Sequence, residues 1–259
     1  MAFMTAALLP TLGILFGMFV CLEVGRRVGA WRHAKEGDRE ESSAAAIDAA
    51  IFALFGLLIA FTFSGAANRF DHRRDQIADE ANAIGTAWMR IDLLPPEAQP
   101  PIRALFRDYL RSRLATYQSI SSDLNAAQAE YDRSQRLQSE IWSRAVPAAR
   151  STGNVAVLSL VVQSLNDMFD MATARLHAAR THVPGAILGL LFVLALASAL
   201  VVGYASARDQ QRSWFRTWLF AVVIAICIFV ILDLEHPRIG IVRVDEADRL
   251  LEELLAGMK

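Results

Sequence analysis

Cysteine, lysine and net charge are what this 259-residue chain has least of. Its two cysteines, Cys21 and Cys227, both sit inside long apolar runs, which excludes a disulfide-stapled secreted domain. Lys35 and Lys259 are the only lysines, and 26 basic against 27 acidic residues leave a formal net charge of −1. A generic nucleic-acid binder needs a positive surplus, so that class is excluded too. The five histidines (His33, His72, His177, His182 and His236) are scattered. With no phosphate-cradling glycine loop, no metal-spaced His/Cys set and no Ser-x-Gly elbow, neither catalysis, a metal nor a cofactor is expected.

What the chain has in quantity is apolar sequence, 54% of its residues, and it is unevenly spread. Four runs carry no formal charge: Met1 to Leu22, Ala49 to Ala67, Val183 to Ala207 and Thr217 to Leu232. Roughly 20 apolar residues in a helix cross a hydrocarbon core of about 30 Å, so the first three suffice as membrane spans. The fourth suffices if Arg216 snorkels and Asp233 marks the far boundary, with Trp214 and Trp218 beside Arg212 and Arg216 forming an interfacial belt. No basic residue precedes the first run, and Arg26 and Arg27 follow it, which is the pattern of a reverse signal anchor.

The expectation is an all-α integral membrane protein with four transmembrane helices and a helical extramembrane bundle between spans 2 and 3. Residues 1–67 hold the first two spans and a basic connector, 68–182 the bundle, 183–234 the last two spans, and 235–259 a tail. In the bundle, Phe70, Ile77, Ala81, Ile84, Trp88 and Ile91 form one helical stripe that carries the second span on until Leu94. A second helix starts near Pro101 with Leu105, Tyr109 or Leu110, and Leu114 inward, and continues or bends through Leu124 to Trp142. A third follows Asn154, with Val155, Leu158, Val162, Leu165, Phe169, Ala172 and Leu176 on one face. In the tail, Ile239 to Val244 alternates as a short extended piece, and Asp245 caps an amphipathic helix that packs on the bundle or on a neighbouring subunit.

Arginines set the sidedness. Arg26, Arg27, Arg32, Lys35 and Arg39 follow the first span, and Arg208, Arg212 and Arg216 lie in the short connector after the third. The first span dominates the positive-inside rule, which puts the central segment and both termini in the periplasm of a bacterial inner-membrane protein.

Three groups of residues are candidates for function. Asp48, Phe52, Phe55, Ile59 and Phe63 share one face of the second span. Arranged around an axis by several subunits, they would make a hydrophobic constriction that gates by dewetting, with an acidic ring at its mouth; ordinary helix packing is the alternative. At the far boundary Asp233, Glu235 and His236 could gather cations, or Asp233 could pair with Arg69 or Arg73. Small residues at four-residue spacing (Gly13 and Gly17, Gly56 and Ala60, Gly185 and Gly189) permit close helix contacts, within a subunit or between subunits.

The third group carries a family resemblance. Arg69-Phe70-Asp71-His72-Arg73-Arg74, then Asp79-Glu80-Ala81-Asn82-Ala83-Ile84-Gly85-Thr86-Ala87 and Asp92-Leu93-Leu94-Pro95, resembles the signature of the bacterial bestrophin-like domain proteins. Leu232-Asp233-Leu234-Glu235-His236-Pro237 with Gly240 is similar to that family's second signature, with Glu235 where Asp is commoner. The resemblance implies four spans, marks Arg69, Asp71, Arg73, Arg74, Glu80 and Asn82 as signature polar residues, and suggests kinship with oligomeric anion channels. True bestrophins keep their termini and helical domain in the cytosol, the opposite of the arginine reading. The expected function is a homo-oligomeric ion channel or channel-like conduit with lipid and small inorganic ions as partners; the rival is a non-conducting sensor or scaffold whose bundle binds a partner.

Overall fold

The computed structural model describes residues 7–36, 42–120, 122–207 and 214–259. Arg39, Arg208 and Arg212, on which part of the sidedness reading rests, lie outside these residues. Among the described residues the regular elements are all helices, and four are long and apolar enough to cross a membrane. The protein is a multi-pass membrane protein. Its helices are α1 (Leu9–Glu36), α2 (Ser42–Arg90), α3 (Gln99–Ser119), α4 (Leu124–Ser151), α5 (Val155–Arg180), α6 (Gly185–Ser206), α7 (Trp214–Leu234) and α8 (Asp245–Gly257). They form two compact units: residues 1–69 with 182–242, and residues 70–181 with 243–259.

In the first unit α1 lies along α6 and touches α7. Lipid tails are as apolar as leucine, so helices in a bilayer associate by close packing, and small residues decide where backbones can meet. A Cβ on Gly25 would lie 2.1 Å from the Leu200 carbonyl oxygen, and one on Gly203 2.2 Å from that of Leu22. A Cβ on Gly29 would lie 2.7 Å from the Tyr204 carbonyl oxygen. The contact is therefore backbone against backbone, made by Gly25 and Gly29 of α1 with Gly203 of α6. Within the chain, the glycines singled out by spacing are left open: Gly13, Gly56, Gly185 and Gly189 have no neighbour within 4 Å, and Gly17 meets only the Leu196 side chain. Spacing identifies a face of a helix, not whether a partner covers it. α7 buries Ala221, Ile224, Ala225, Ile228 and Ile231, and its Trp218 ring packs 4.7 Å from that of Phe19.

The second unit is the extramembrane bundle. Ile77, Ile84 and Ile91 are buried on the expected stripe, and α2 gives way at Arg90 to a 3-10 turn over Ile91–Leu93. Prolines near the start of α3 fit positions where no backbone N–H is needed. Ile102, Phe106, Tyr109, Leu110 and Leu114 of α3 face the core. The helix does not run on to Trp142: the chain breaks after Ser119, and Asp123 caps α4 by accepting from the Asn125 and Ala126 amides. Between α4 and α5, Gly153 takes a positive φ of 69°, the left-handed conformation that favours glycine, and Asn154 caps α5 through the Ala156 amide.

Two expectations need correcting here. The inward face of α5 is Val161, Leu165, Met168, Ala172 and Arg175, while Val155 is 80% exposed. Leu165 and Ala172 of the expected stripe are buried and Leu158, Val162 and Phe169 pack against the core, but a stripe of apolar residues alone leaves out Arg175. In the tail, residues 236–244 form turns rather than an extended piece, and Asp245 is the first residue of α8, whose cap position is Val244 with no side-chain bond. α8 packs on α3 and adds Leu251 and Met258 to the core.

Candidate functional site

The candidate face of the second span, on α2, changes character along its length. Asp48 is half-buried, Phe52 is half-buried with its ring edge-on to Phe220 of α7, and Phe55 is 4% exposed. Ile59 is half-buried and Phe63 is 45% exposed. Within one chain the lower aromatics therefore pack on the protein's own spans, and open surface begins toward Phe63. Leu54, Leu57 and Phe61, on the flank of that face, are each more than half exposed.

The first signature separates into residues that turn inward and residues that turn outward. Asp71, Arg74 and Asn82 are exposed, Asp71 and Arg74 making a loose pair at 3.8 Å. Arg73 is buried and donates to the Ala178 and Thr181 carbonyls at 3.2 and 2.7 Å, placing a cation on the C-terminal, negative end of the α5 dipole. Glu80 is fully buried. It accepts from Arg113 Nε at 2.6 Å and from Arg175 Nη1, and Arg175 Nη2 donates on to Asp248 of α8 at 2.7 Å. The Tyr117 ring lies 3.6 Å from the Arg175 guanidinium, and its hydroxyl accepts from Arg113 Nη2 at 2.7 Å. Arg113 Nη1 alone is left without a hydrogen bond.

Two carboxylates and two guanidiniums thus close a neutral network in the bundle core. Burial would raise the Glu80 carboxyl, but the Arg113 and Arg175 charges outweigh it and hold that carboxyl below the ordinary carboxylate range. Burial also pushes the Tyr109 hydroxyl up, keeping it a neutral hydrogen-bonding group that accepts from Gln138 at 3.2 Å. Sequence reasoning missed Arg113, Tyr117, Arg175 and Asp248. Their signal was present: Arg175 interrupts an otherwise apolar helical face, and a charge there must find a buried partner.

At the boundary the carboxylates of the second signature accept from protein donors. Asp233 is 2% exposed, and its two oxygens accept the Ile241 and Val242 amides at 2.8 and 2.9 Å. A Cβ on Gly240 would lie 2.5 Å from Asp233 Oδ1, so the turn closes only over a glycine. The ion pair expected of Asp233 is made instead by Glu235, whose Oε1 accepts from Arg69 Nε and Nη2 at 2.8 and 2.7 Å. Asp233 is spent on capping backbone amides, and Arg73 is spent on the end of α5. Glu235 Oε2 accepts the Val183 amide at 3.1 Å and lies 3.5 Å from His182 Nδ1. His236 sits beside this pair with its Nδ1 3.0 Å from the Leu232 carbonyl oxygen. Each oxygen of the two carboxylates thus meets at least one protein group.

Four apolar helices, a polar signature folded into the bundle core and a carboxylate-pinned turn at the end of the last span define a membrane protein with a helical extramembrane unit. Residues 32–248 match the model of the bestrophin-like domain, so the chain belongs to the bestrophin-like family. Among solved structures it is similar to a bacterial bestrophin homologue from Klebsiella pneumoniae (TM-score 0.65, 14% identity, covering 95% of this chain and 98% of that one). A single-residue variant of that homologue aligns at a TM-score of 0.69 with the same identity and coverage. A structure described only as a variant of a membrane protein aligns at 0.71, with 13% identity and coverage of 95% and 98%. No curated protein sequence matches the chain.

Proposed function

We propose that this protein is a homo-oligomeric ion channel or channel-like conduit of the bacterial inner membrane, with α2 lining the path. The observation that carries the reading is the openness of α2: 11% of its most apolar stretch is buried within the chain, against 44% for α7. A helix that gives one flank to its own subunit and keeps the rest free is what subunits around a shared axis require. On that reading Ile59 and Phe63 form the constriction, Phe52 and Phe55 brace it from within the subunit, and Asp48 rings one mouth. Asp71, Arg74 and Asn82, exposed on the continuation of α2, face the aqueous vestibule. The likeness to the Klebsiella pneumoniae bestrophin homologue agrees with this reading.

The test is current across a planar bilayer in asymmetric salt, comparing the native chain with Phe63→Ala. Discrete currents that grow when Phe63 is trimmed are expected, with a reversal potential that gives the permeant charge. A silent bilayer from folded, oligomeric protein would overturn the conduit and leave the second reading, a non-conducting scaffold, which the burial of Phe55 and the Phe52–Phe220 contact favour. The arginine count supports a periplasmic bundle and termini. Protease cutting of the 68–182 segment in intact spheroplasts is then expected, and cutting only after lysis would establish the cytosolic sidedness of true bestrophins.

A further inference from the structure

The turn that follows α7 carries two apolar side chains on its outside. We propose that this turn inserts Ile241 and Val242 into the bilayer interface, so that its partner is lipid, met where acyl chains join their headgroups. Ile241 is 70% exposed and Val242 40%, whereas Pro237, Gly240 and Val244 around them are buried. A turn that faces water ordinarily shows Gly, Asn, Asp or Ser, and apolar side chains held outward lose free energy to water. Lipid contact here needs only the membrane-spanning fold, conducting or not.

Depth follows from α7. Its apolar stretch Phe215–Leu234 has 20 residues, which at about 1.5 Å each matches a hydrocarbon core of about 30 Å and puts the last turn at the membrane edge. Asp233 belongs to that last turn, and its Cα–Cβ bond leans toward the helix start, that is, into the membrane. Its oxygens take the Ile241 and Val242 amides at 2.8 and 2.9 Å, and a Cβ on Gly240 would meet Asp233 Oδ1 at 2.5 Å. The chain therefore leaves the span, reverses, and is back at the depth of Asp233 when it reaches Ile241. Backbone amides are the usual bar to placing a turn against lipid, because one without a partner is costly there. Here the Ile239 and Gly240 amides donate to the His236 carbonyl at 3.1 and 2.9 Å, and the next two go to Asp233. Four consecutive amides are satisfied inside the protein, and what Ile241 and Val242 offer outward is side-chain hydrocarbon.

The native full-length protein is tested in vesicles of phosphatidylcholine that bears a diazirine on its acyl chain. After irradiation, trypsin cuts behind Arg238 and Arg243 and releases residues 239–243 as one peptide. Carbene adducts are expected on that peptide, as on peptides from α6 and α7, and not on Leu124 or Val155, bundle residues that are more exposed still at 72% and 80%. In a second measurement a nitroxide is attached through Ile241→Cys in a chain carrying Cys21→Ser and Cys227→Ser. Its collisions with oxygen are expected to exceed those with a water-soluble nickel chelate. A 239–243 peptide left unlabelled beside labelled spans, adducts spread equally over the bundle, or a nitroxide that meets the chelate more than oxygen overturns the lipid contact. A nitroxide shielded from both reagents overturns it as well and puts a neighbouring copy on the turn.

Discussion

Glu80→Gln is the sharpest test of the bundle network. Glu80 is fully buried between Arg113, 0% exposed, and Arg175, 4% exposed, and each of its oxygens takes one guanidinium nitrogen. The amide keeps the volume and one acceptor but removes the charge. Arg175 still has Asp248; Arg113 is left with the Tyr117 hydroxyl and with Nη1 already lacking a partner. Breaking a buried pair by removing one charge costs about 3–5 kcal/mol. At ~2–4 °C per kcal/mol for a chain of this size, the apparent melting midpoint should fall by roughly 10 °C. The assay is thermal unfolding in detergent followed by tryptophan fluorescence, since Trp88 and Trp142 both pack against the bundle core. Because the damage is an uncompensated Arg113, the double variant Glu80→Gln/Arg113→Met should recover part of the loss. A midpoint unchanged by Glu80→Gln, or a double variant with purely additive losses, refutes the reasoning.

Acidification should reach the same network. The Glu80 carboxyl is held low in the folded protein, so its contribution is present above the ordinary carboxylate range near pH 4.3 and is lost as pH falls through the lower folded value. The native melting midpoint should hold from pH 8 to about 5 and drop below about pH 4, with a smaller drop in Glu80→Gln. Gly203→Ala places a methyl against the Leu22 carbonyl and must push α1 from α6, at a cost of about 1–3 kcal/mol; a lower melting midpoint checks it. Asp233→Ala strips the acceptors from the Ile241 and Val242 amides, and hydrogen exchange at those two amides should rise while α7 stays protected.

The membrane class and the number of spans were legible because a bilayer imposes a length and a composition that one apolar run declares by itself. Rotation about each helix axis was less legible. The α5 stripe of apolar residues finds Leu165 and Ala172 but leaves out Arg175, which the fold spends two carboxylates to bring inside. The partners of the glycines were not legible either: Gly25 and Gly29 repeat at the same spacing as Gly13 and Gly17, and only the position of α6 separates the pair covered within the chain from the pair left open. At the boundary the acidic cluster was visible, but which carboxylate meets Arg69 depends on the turn at Gly240, and no local pattern reports that turn.

The backbone contact between α1 and α6 also bears on how the chain is made. Gly25 and Gly29 reach the membrane early in synthesis, and Gly203 follows only after most of the chain has been translated, roughly ten seconds or more later at ordinary elongation rates. Through that interval α1 carries that glycine strip with its partner unmade. Among the described residues the strip's occupant comes from the same polypeptide, so the packing of α1 in the membrane unit waits on the translation of α6.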